Sequence, residues 1–156
     1  MAFLEWTSEL NTGIDVIDNQ HRRIVDYINQ LDQAKAQNDK ALVAEVIDST
    51  IDYTMSHFAF EEALIEDAGY PFAGPHKKVH ELFIKRVTRL QERFNKGEDI
   101  AEELHNLLSR WLFSHIRSDD FAYVDSVRKS MQNLLSQTQP EGWFTKAVGR
   151  FFRKAY

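Results

Sequence analysis

Cysteine is absent from this sequence, which excludes a disulfide framework and any thiolate metal site; a metal held here must be held by nitrogen and oxygen. No apolar run reaches the roughly 18 residues that a transmembrane helix needs. The opening residues, Met1 to Leu10, include Glu5 and Glu9 and lack a basic stretch followed by an apolar one, so no secretory signal is expected and the protein is placed in the cytoplasm. A basic excess is missing too. The formal net charge is −5, and it is unevenly distributed: residues 141–156 carry Lys146, Arg150, Arg153 and Lys154 against Glu141 alone, so the tail is +3 and the remainder −8. An acidic body argues against nucleic acid as a partner, because phosphate binding calls for a basic patch on the folded domain. There is no internal repeat and no low-complexity tract.

What is present, 156 residues of which 43% are hydrophobic and 28% charged, fits one globular domain with a sizeable core. Four long segments space their apolar residues alternately three and four apart, the pattern of a helix that buries one face. The first carries Ile17, His21, Ile24, Ile28 and Leu31, with Asp18 as its expected cap. The second carries Leu42, Val46, Tyr53, His57, Glu61 and Leu64 and stops before Gly69-Tyr70-Pro71. The third follows Gly74-Pro75 with His76, His80, Phe83, Val87, Leu90 and Phe94, and the fourth carries Leu104, Leu108, Trp111 and His115. Short connections make neighbours antiparallel, so the expected fold is all-α, an up-down four-helix bundle. A shorter fifth helix is expected over Phe121 to Leu135, through Phe121, Val124, Val127, Met131 and Leu134. "SQTQPEG" reads as a linker to a C-terminal amphipathic helix.

The polar interruptions of these stripes carry the chemistry. His21, His57, Glu61, His76, His80 and His115 all fall on faces that should be buried. A single such histidine is usually a satisfied core residue. Five with a glutamate, spread over all four helices, are another matter, because each buried polar group without a partner costs about 1–3 kcal/mol and a carboxylate more. A metal is the strong partner such a cluster needs. Imidazole and carboxylate suit iron, manganese and zinc, and the i, i+4 pairs His57 with Glu61 and His76 with His80 each set two donors on one helical face. The donors are too many for one tetrahedral zinc but suit two metals joined by bridging carboxylates. The sixth histidine, His105, lies ten residues before His115, about 80° away and about 15 Å along the axis, and is expected at the surface or its boundary. Met55, Met131 and the phenylalanines are expected in the core.

Four motifs now carry a resemblance. Residues 12–31, "TGIDVIDNQHRRIVDYINQL", "HFAFEE" at 57–62, "GYPFAGPHKKVHELF" at 69–83 and "WLFSHIRSDDFAY" at 111–123 resemble, in order, the opening, HxxxE, HxxxH and HxxxxD elements of the hemerythrins, specifically the single-domain bacterial ones. The resemblance covers roughly residues 6–123 and implies a helical bundle over residues 1–137, with residues 138–156 outside it as linker and basic tail. It implies two iron ions with an oxo or hydroxo bridge and reversible O₂ binding for storage, delivery or buffering, not an enzyme. His76, His80 and His115 fall on one iron and His21 with His57 on the other, with Glu61 and Asp120 bridging. The two-histidine iron keeps the open position for O₂, beside a water-poor pocket assigned to Ile24, Trp111 and Leu112.

Asp120 departs from helical spacing, since five residues after His115 places it about 140° round an ideal helix. Spacing alone selects Asp119; the family pattern selects Asp120 and requires the helix to end or distort there. A di-iron oxidase or peroxidase is the enzyme alternative, although ferritin-like enzymes use four glutamates and two ExxH pairs. An oxygen-sensing or partner-docking module is the other. The tail, "WFTKAVGRFFRKAY" at 143–156, groups Phe144, Val148, Phe151 and Phe152 apart from its cations, so a membrane surface or a protein partner is its expected contact. The protein is expected to be a monomer.

Overall fold

The computed structural model describes residues 4–135; the expected linker and amphipathic helix at 138–156 lie outside the described residues. After a single 3₁₀ turn at Ser8–Leu10, the chain forms α1 (Asp15–Ala36), α2 (Lys40–Asp67), α3 (Ala73–Asn95), α4 (Ala101–His115), a π-helical turn (Ile116–Asp120) and α5 (Phe121–Leu135). The first four helices run up and down. Lys35 near the end of α1 pairs with Glu102 at the start of α4, Gln91 of α3 donates to Asp48 of α2, and Arg93 of α3 pairs with Glu103 of α4. The expected bundle is therefore present.

The helix ends follow from local chemistry. Asp39 caps α2 by accepting from Leu42 N–H. Gly69 and Gly97, with φ of 69° and 97°, take the left-handed position that closes α2 and α3. There Tyr70 N–H reaches Ile65 C=O and Glu98 N–H reaches Arg93 C=O, satisfying carbonyls the helix leaves open. Asp18 does not stand at the N-cap of α1, which is Ile14. It sits inside the first turn and reaches back, accepting from Thr12 N–H, Thr12 Oγ1–H and Gly13 N–H, so it anchors the loop that enters the helix.

The predicted stripes are largely the buried ones. Ile17, Ile24, Ile28 and Leu31 of α1, Phe83, Val87 and Leu90 of α3, and Leu104, Leu108 and Leu112 of α4 are all buried. Two apolar clusters result, a large one through Ile24, Phe58, Phe83, Leu112 and Ile116 and a smaller one through Ile17, Phe60, Leu64, Tyr123 and Val127. Several expectations need correction. Met55, Phe72, Phe121 and Met131 are exposed, and His105 is buried at 3% exposure. Among the α5 side chains whose burial is described, Tyr123, Val124 and Val127 are buried, so Tyr123 joins the expected Val124 and Val127 while Phe121 and Met131 do not. The backbones of α1 and α2, α1 and α4, and α2 and α3 approach closely. The α3–α4 gap is wider and is bridged by the stacked rings of Phe83 and Trp111. Among the described residues no helix is long and apolar enough to cross a membrane.

Candidate metal centre

Between the two apolar clusters lies a layer of polar side chains. On α1, His21 sits one turn after Ile17 of the smaller cluster and one turn before Ile24 of the larger. His57 and Glu61 come from α2, His76 and His80 from the first two turns of α3, and His115 closes α4. Asp120 ends the π turn. All seven are buried, and His21, Glu61 and Asp120 are at 0% exposure.

The π turn resolves the competition between the two aspartates. Phe121 N–H donates to Ile116 C=O, five residues back, and in such a turn residues five apart line up on one face. Asp120 is thereby brought under His115, where its Oδ1 lies 3.0 Å from His115 Nε2. Asp119 keeps the i+4 position and meets the opposite edge of the same ring, its Oδ2 accepting from His115 Nδ1–H at 2.8 Å. One imidazole thus has a carboxylate on each nitrogen, and only Asp120 faces the cluster.

The two inward carboxylates each divide their oxygens between two sets of histidines. Glu61 Oε1 faces His76 (2.6 Å), His80 (3.1 Å) and His115 (3.7 Å). Its Oε2 faces His57 (3.4 Å) and His21 (3.9 Å). Asp120 repeats the pattern, with Oδ1 toward His76 (3.3 Å) and His115, and Oδ2 toward His21 (3.0 Å). In every one of these contacts the histidine presents Nε2. The ligand atoms of Glu61, His76, His80 and His115 lie within 4.8 Å of one another, as do those of His21, His57 and Glu61. Opposite donors about 2.2 Å from one metal stand about 4.4 Å apart, so each group is close to the size that one ion would draw together, with Glu61 common to both.

The outward edges of the rings were not legible in the sequence. His57 Nδ1–H donates to Gln20 Oε1 at 2.6 Å, His115 Nδ1–H to Asp119, and His80 Nδ1 stands 3.5 Å from Glu62. An amide or carboxylate oxygen can only accept, so the Gln20 and Asp119 contacts place the proton on Nδ1 of His57 and His115 and turn their Nε2 lone pairs inward. Lone pairs facing carboxylate oxygens in a dry layer repel unless a cation lies between them. The contacts agree with this. His21 Nε2, His57 Nε2 and both Asp120 oxygens have no aligned hydrogen bond despite separations near 3 Å. His80 Nε2 and His115 Nε2 stand 3.1 Å apart. Without a metal, protons take the cation's place: burial opposes a charge on His76, but Asp120 and Glu61 override it and push its pKa up to about 9. His115 is raised well above the ordinary range against the same burial, chiefly by the Asp120 charge. Burial lowers His57. Glu61 is held well below its usual range despite its burial by the histidines around it, His57 first, and Asp120 likewise by His115. Tyr123, raised by burial and by the nearby carboxylates, stays a phenol and donates to Glu61 Oε2 at 3.1 Å.

The apolar surroundings were only partly anticipated. Ile24 and Leu112 are buried in the large cluster. Trp111 is half-buried and stacks on His115, with ring centres 4.4 Å apart at 14°, and Phe58 stacks on His80 at 3.8 Å and 6°. Phe58 follows His57 directly, and its role has no signature beyond an apolar residue on a buried face.

A helical bundle whose core holds two sets of imidazoles sharing a carboxylate has the donor groups of a protein that could hold metal ions. The family model of the hemerythrin HHE cation binding domain matches residues 12–126. A bacteriohemerythrin of Pseudomonas aeruginosa is 57% identical over 152 residues, covering 97% of this chain and 99% of that one. One of Methylococcus capsulatus is 30% identical over 125 residues, 79% of this chain and 95% of its own. A wild-type hemerythrin crystal structure superposes with a TM-score of 0.77 at 27% identity, covering 81% of this chain and 98% of that one. The chain belongs to the hemerythrin family.

Proposed function

We propose that this protein binds O₂ reversibly at a non-haem di-iron centre, with His76, His80 and His115 on one iron, His21 and His57 on the other, and Glu61 and Asp120 bridging them. The observation that carries the proposal is the unequal division of the histidines around two shared carboxylates. His76, His80 and His115 with one oxygen of each carboxylate would hold one iron, and His21 and His57 with the other oxygens would hold the second, which has one protein donor fewer and would therefore be the one to take a small ligand. Two carboxylates against two divalent ions leave +2, which a hydroxide bridge lowers to +1, a charge a buried layer can hold when every donor is directed at it.

Bound there, the iron pair would supply the electrons that hold O₂. The chain's own residues do the rest. Gln20 and Asp119 fix the rotation of His57 and His115 by accepting from their Nδ1–H groups. The Tyr123 hydroxyl satisfies Glu61 from outside the layer, keeping the carboxylate from turning. Ile24 and Leu112 belong to the apolar wall that excludes water, which favours release of intact O₂ over chemistry on it. Trp111 contributes to that wall and packs against the three-histidine side through His115. The same proposal makes the protein an oxygen carrier or buffer rather than an enzyme, monomeric and cytoplasmic, with residues 1–137 forming the carrier and 138–156 a linker and tail that tethers it to a membrane surface or protein partner.

Anaerobic reconstitution with Fe²⁺, exposure to air and then deoxygenation, followed by absorption spectroscopy, tests it. The expected result is two irons per chain and a visible band that appears with O₂ and disappears on its removal. One metal per chain, zinc as the native occupant, or net O₂ consumption in every cycle would overturn it.

A further inference from the structure

The wide side of the bundle opens as a cleft of about 570 Å³ between α3 and α4, lined among others by Arg86, Leu90, Asn106, Arg110, Trp111 and Ser114. Its charge is opposite to that of the body. Glu103, also at its edge, is already paired with Arg93 at 3.0 Å. Arg86 and Arg110 are exposed and have no ion pair among the described residues. The opening of an acidic protein therefore presents two guanidinium groups without an ion pair among the described residues, with Leu82, 54% exposed, one turn before Arg86 on α3. Its floor is unusual as well. The half-buried Trp111 indole lies parallel to the His115 imidazole at 4.4 Å, and the other edge of that imidazole presents Nε2 to Glu61 and Asp120. From the cleft to the metal layer there is one aromatic contact and no intervening saturated side chain.

We propose that this cleft is the docking site of an acidic one-electron carrier protein, a flavin or iron–sulfur protein, and that Trp111 relays its electrons through His115 to the metal centre. The relay half rests on the di-iron reading above; the docking half does not. An iron pair that meets O₂ would on occasion pass two electrons to it and lose it as hydrogen peroxide, leaving an Fe³⁺ pair without the electrons to hold another O₂. Two reduced carriers, each giving up one electron, return the pair to Fe²⁺, and one proton from solvent converts the oxide bridge to hydroxide. Electron tunnelling falls steeply with distance, so a conjugated side chain stacked on a ligand is the favoured route. Charge complementarity raises the encounter rate, and electron-transfer contacts are characteristically small, which a cleft of this size with two cations and one apolar neighbour can provide.

The probe is a purified acidic [2Fe–2S] ferredoxin of the plant type. Oxidised ferredoxin is titrated calorimetrically, at low and high salt, into the oxidised iron-loaded protein and into the metal-free protein, so that no electron flow is involved. The expected result is salt-dependent binding to both, weakened at least about ten-fold by Arg86→Glu with Arg110→Glu, while the O₂-dependent spectrum of that variant is unchanged. Stopped-flow reduction of the Fe³⁺ pair by reduced ferredoxin is then compared with reduction by the diffusing methyl viologen radical. At saturating ferredoxin, where any change of affinity at the cleft floor drops out, Trp111→Leu should slow the first several-fold and affect the second less; Trp111→Phe, which keeps a ring on His115, should fall between and serves if the leucine variant does not fold. Absence of salt-dependent binding, indifference to the charge reversal, or a concentration-dependent dimer that occupies the cleft instead would overturn the docking site. Equal slowing with both reductants would show that Trp111 only orients His115 and would overturn the relay. If iron pairing fails but ferredoxin still binds the metal-free protein at this cleft, the di-iron reading falls and the docking site stands.

Discussion

Replacing Asp119 and Asp120 by alanine, one at a time, separates the two roles that the π turn assigns to adjacent carboxylates. Asp120 is at 0% exposure and offers one oxygen to each set of histidines. Asp120→Ala removes a donor from both ions at once and leaves Glu61 as the sole bridge. The paired site should then be lost, with less than two irons per chain and no absorption from an oxide-bridged Fe³⁺ pair. Asp119, at 35% side-chain exposure, meets His115 at Nδ1, on the edge of the ring away from the cluster. Its removal frees the ring to rotate and lowers its basicity, which for such outer partners typically costs 10–100-fold in metal affinity, about 1.4–2.7 kcal/mol. At saturating iron the Asp119→Ala protein should therefore show the full bridged spectrum and two irons, while a competing chelator strips it at correspondingly lower concentration. Circular dichroism controls for the bundle in both. If Asp119→Ala abolishes the bridged band and Asp120→Ala keeps it, the assignment of the bridge is wrong and the i+4 spacing was the better guide.

Loading the metal-free protein should depend on pH through His76, whose pKa of about 9 stands above the ordinary 6.5. Its ion pairs stabilise the metal-free fold fully below pH 6.5 and are lost as pH rises through about 9, a contribution of at most about 3 kcal/mol. Iron must displace that proton, so affinity rises with pH across the same window; calorimetry at pH 7.5 in buffers of different ionisation heat should show proton release, and none would count against the raised pKa. Tyr123→Phe leaves Glu61 Oε2 without its donor and should destabilise the protein by about 1–3 kcal/mol in denaturant titrations, whereas an unchanged midpoint would mean the hydroxyl is dispensable. His21→Ala and His57→Ala each remove one of the two nitrogens that would hold the second iron and should abolish O₂ binding with helicity retained; persistent reversible oxygenation in either would place O₂ binding elsewhere.

The helices and most of the site were legible in the amino-acid order because burial imposes one period on both. A side chain that recurs at three and four residues faces the core whether it is Ile24 or His21, so five histidines and Glu61 announced themselves as polar residues where only apolar ones belong. The order of the four motifs did the same for Asp120, against the helical spacing. What made that assignment physical is the π turn, and no local preference in Ile116–Asp120 predicts it. A wider turn forms where packing and a buried cluster favour it over an α-helical hydrogen bond. Ring orientation was equally out of reach: the choice of Nε2 over Nδ1 depends on Gln20, Glu62 and Asp119, which meet their histidines through space from other turns or helices.

The misplacements have the same origin. His105 was expected at the surface or its boundary because its angle from His115 was measured on one isolated helix, yet α4 packs closely on α1 and is covered there as well. Phe121 and Met131 lie on the periodic face of α5 and remain exposed, while Tyr123, Val124 and Val127 of the same helix are buried. The sequence by itself determined which side chains each helix turns inward, since that follows from a repeat along one axis. The tertiary structure alone decided which atoms meet, because the distance between two imidazoles on different helices depends on how those helices are rotated and spaced, and neither is a property of any one segment.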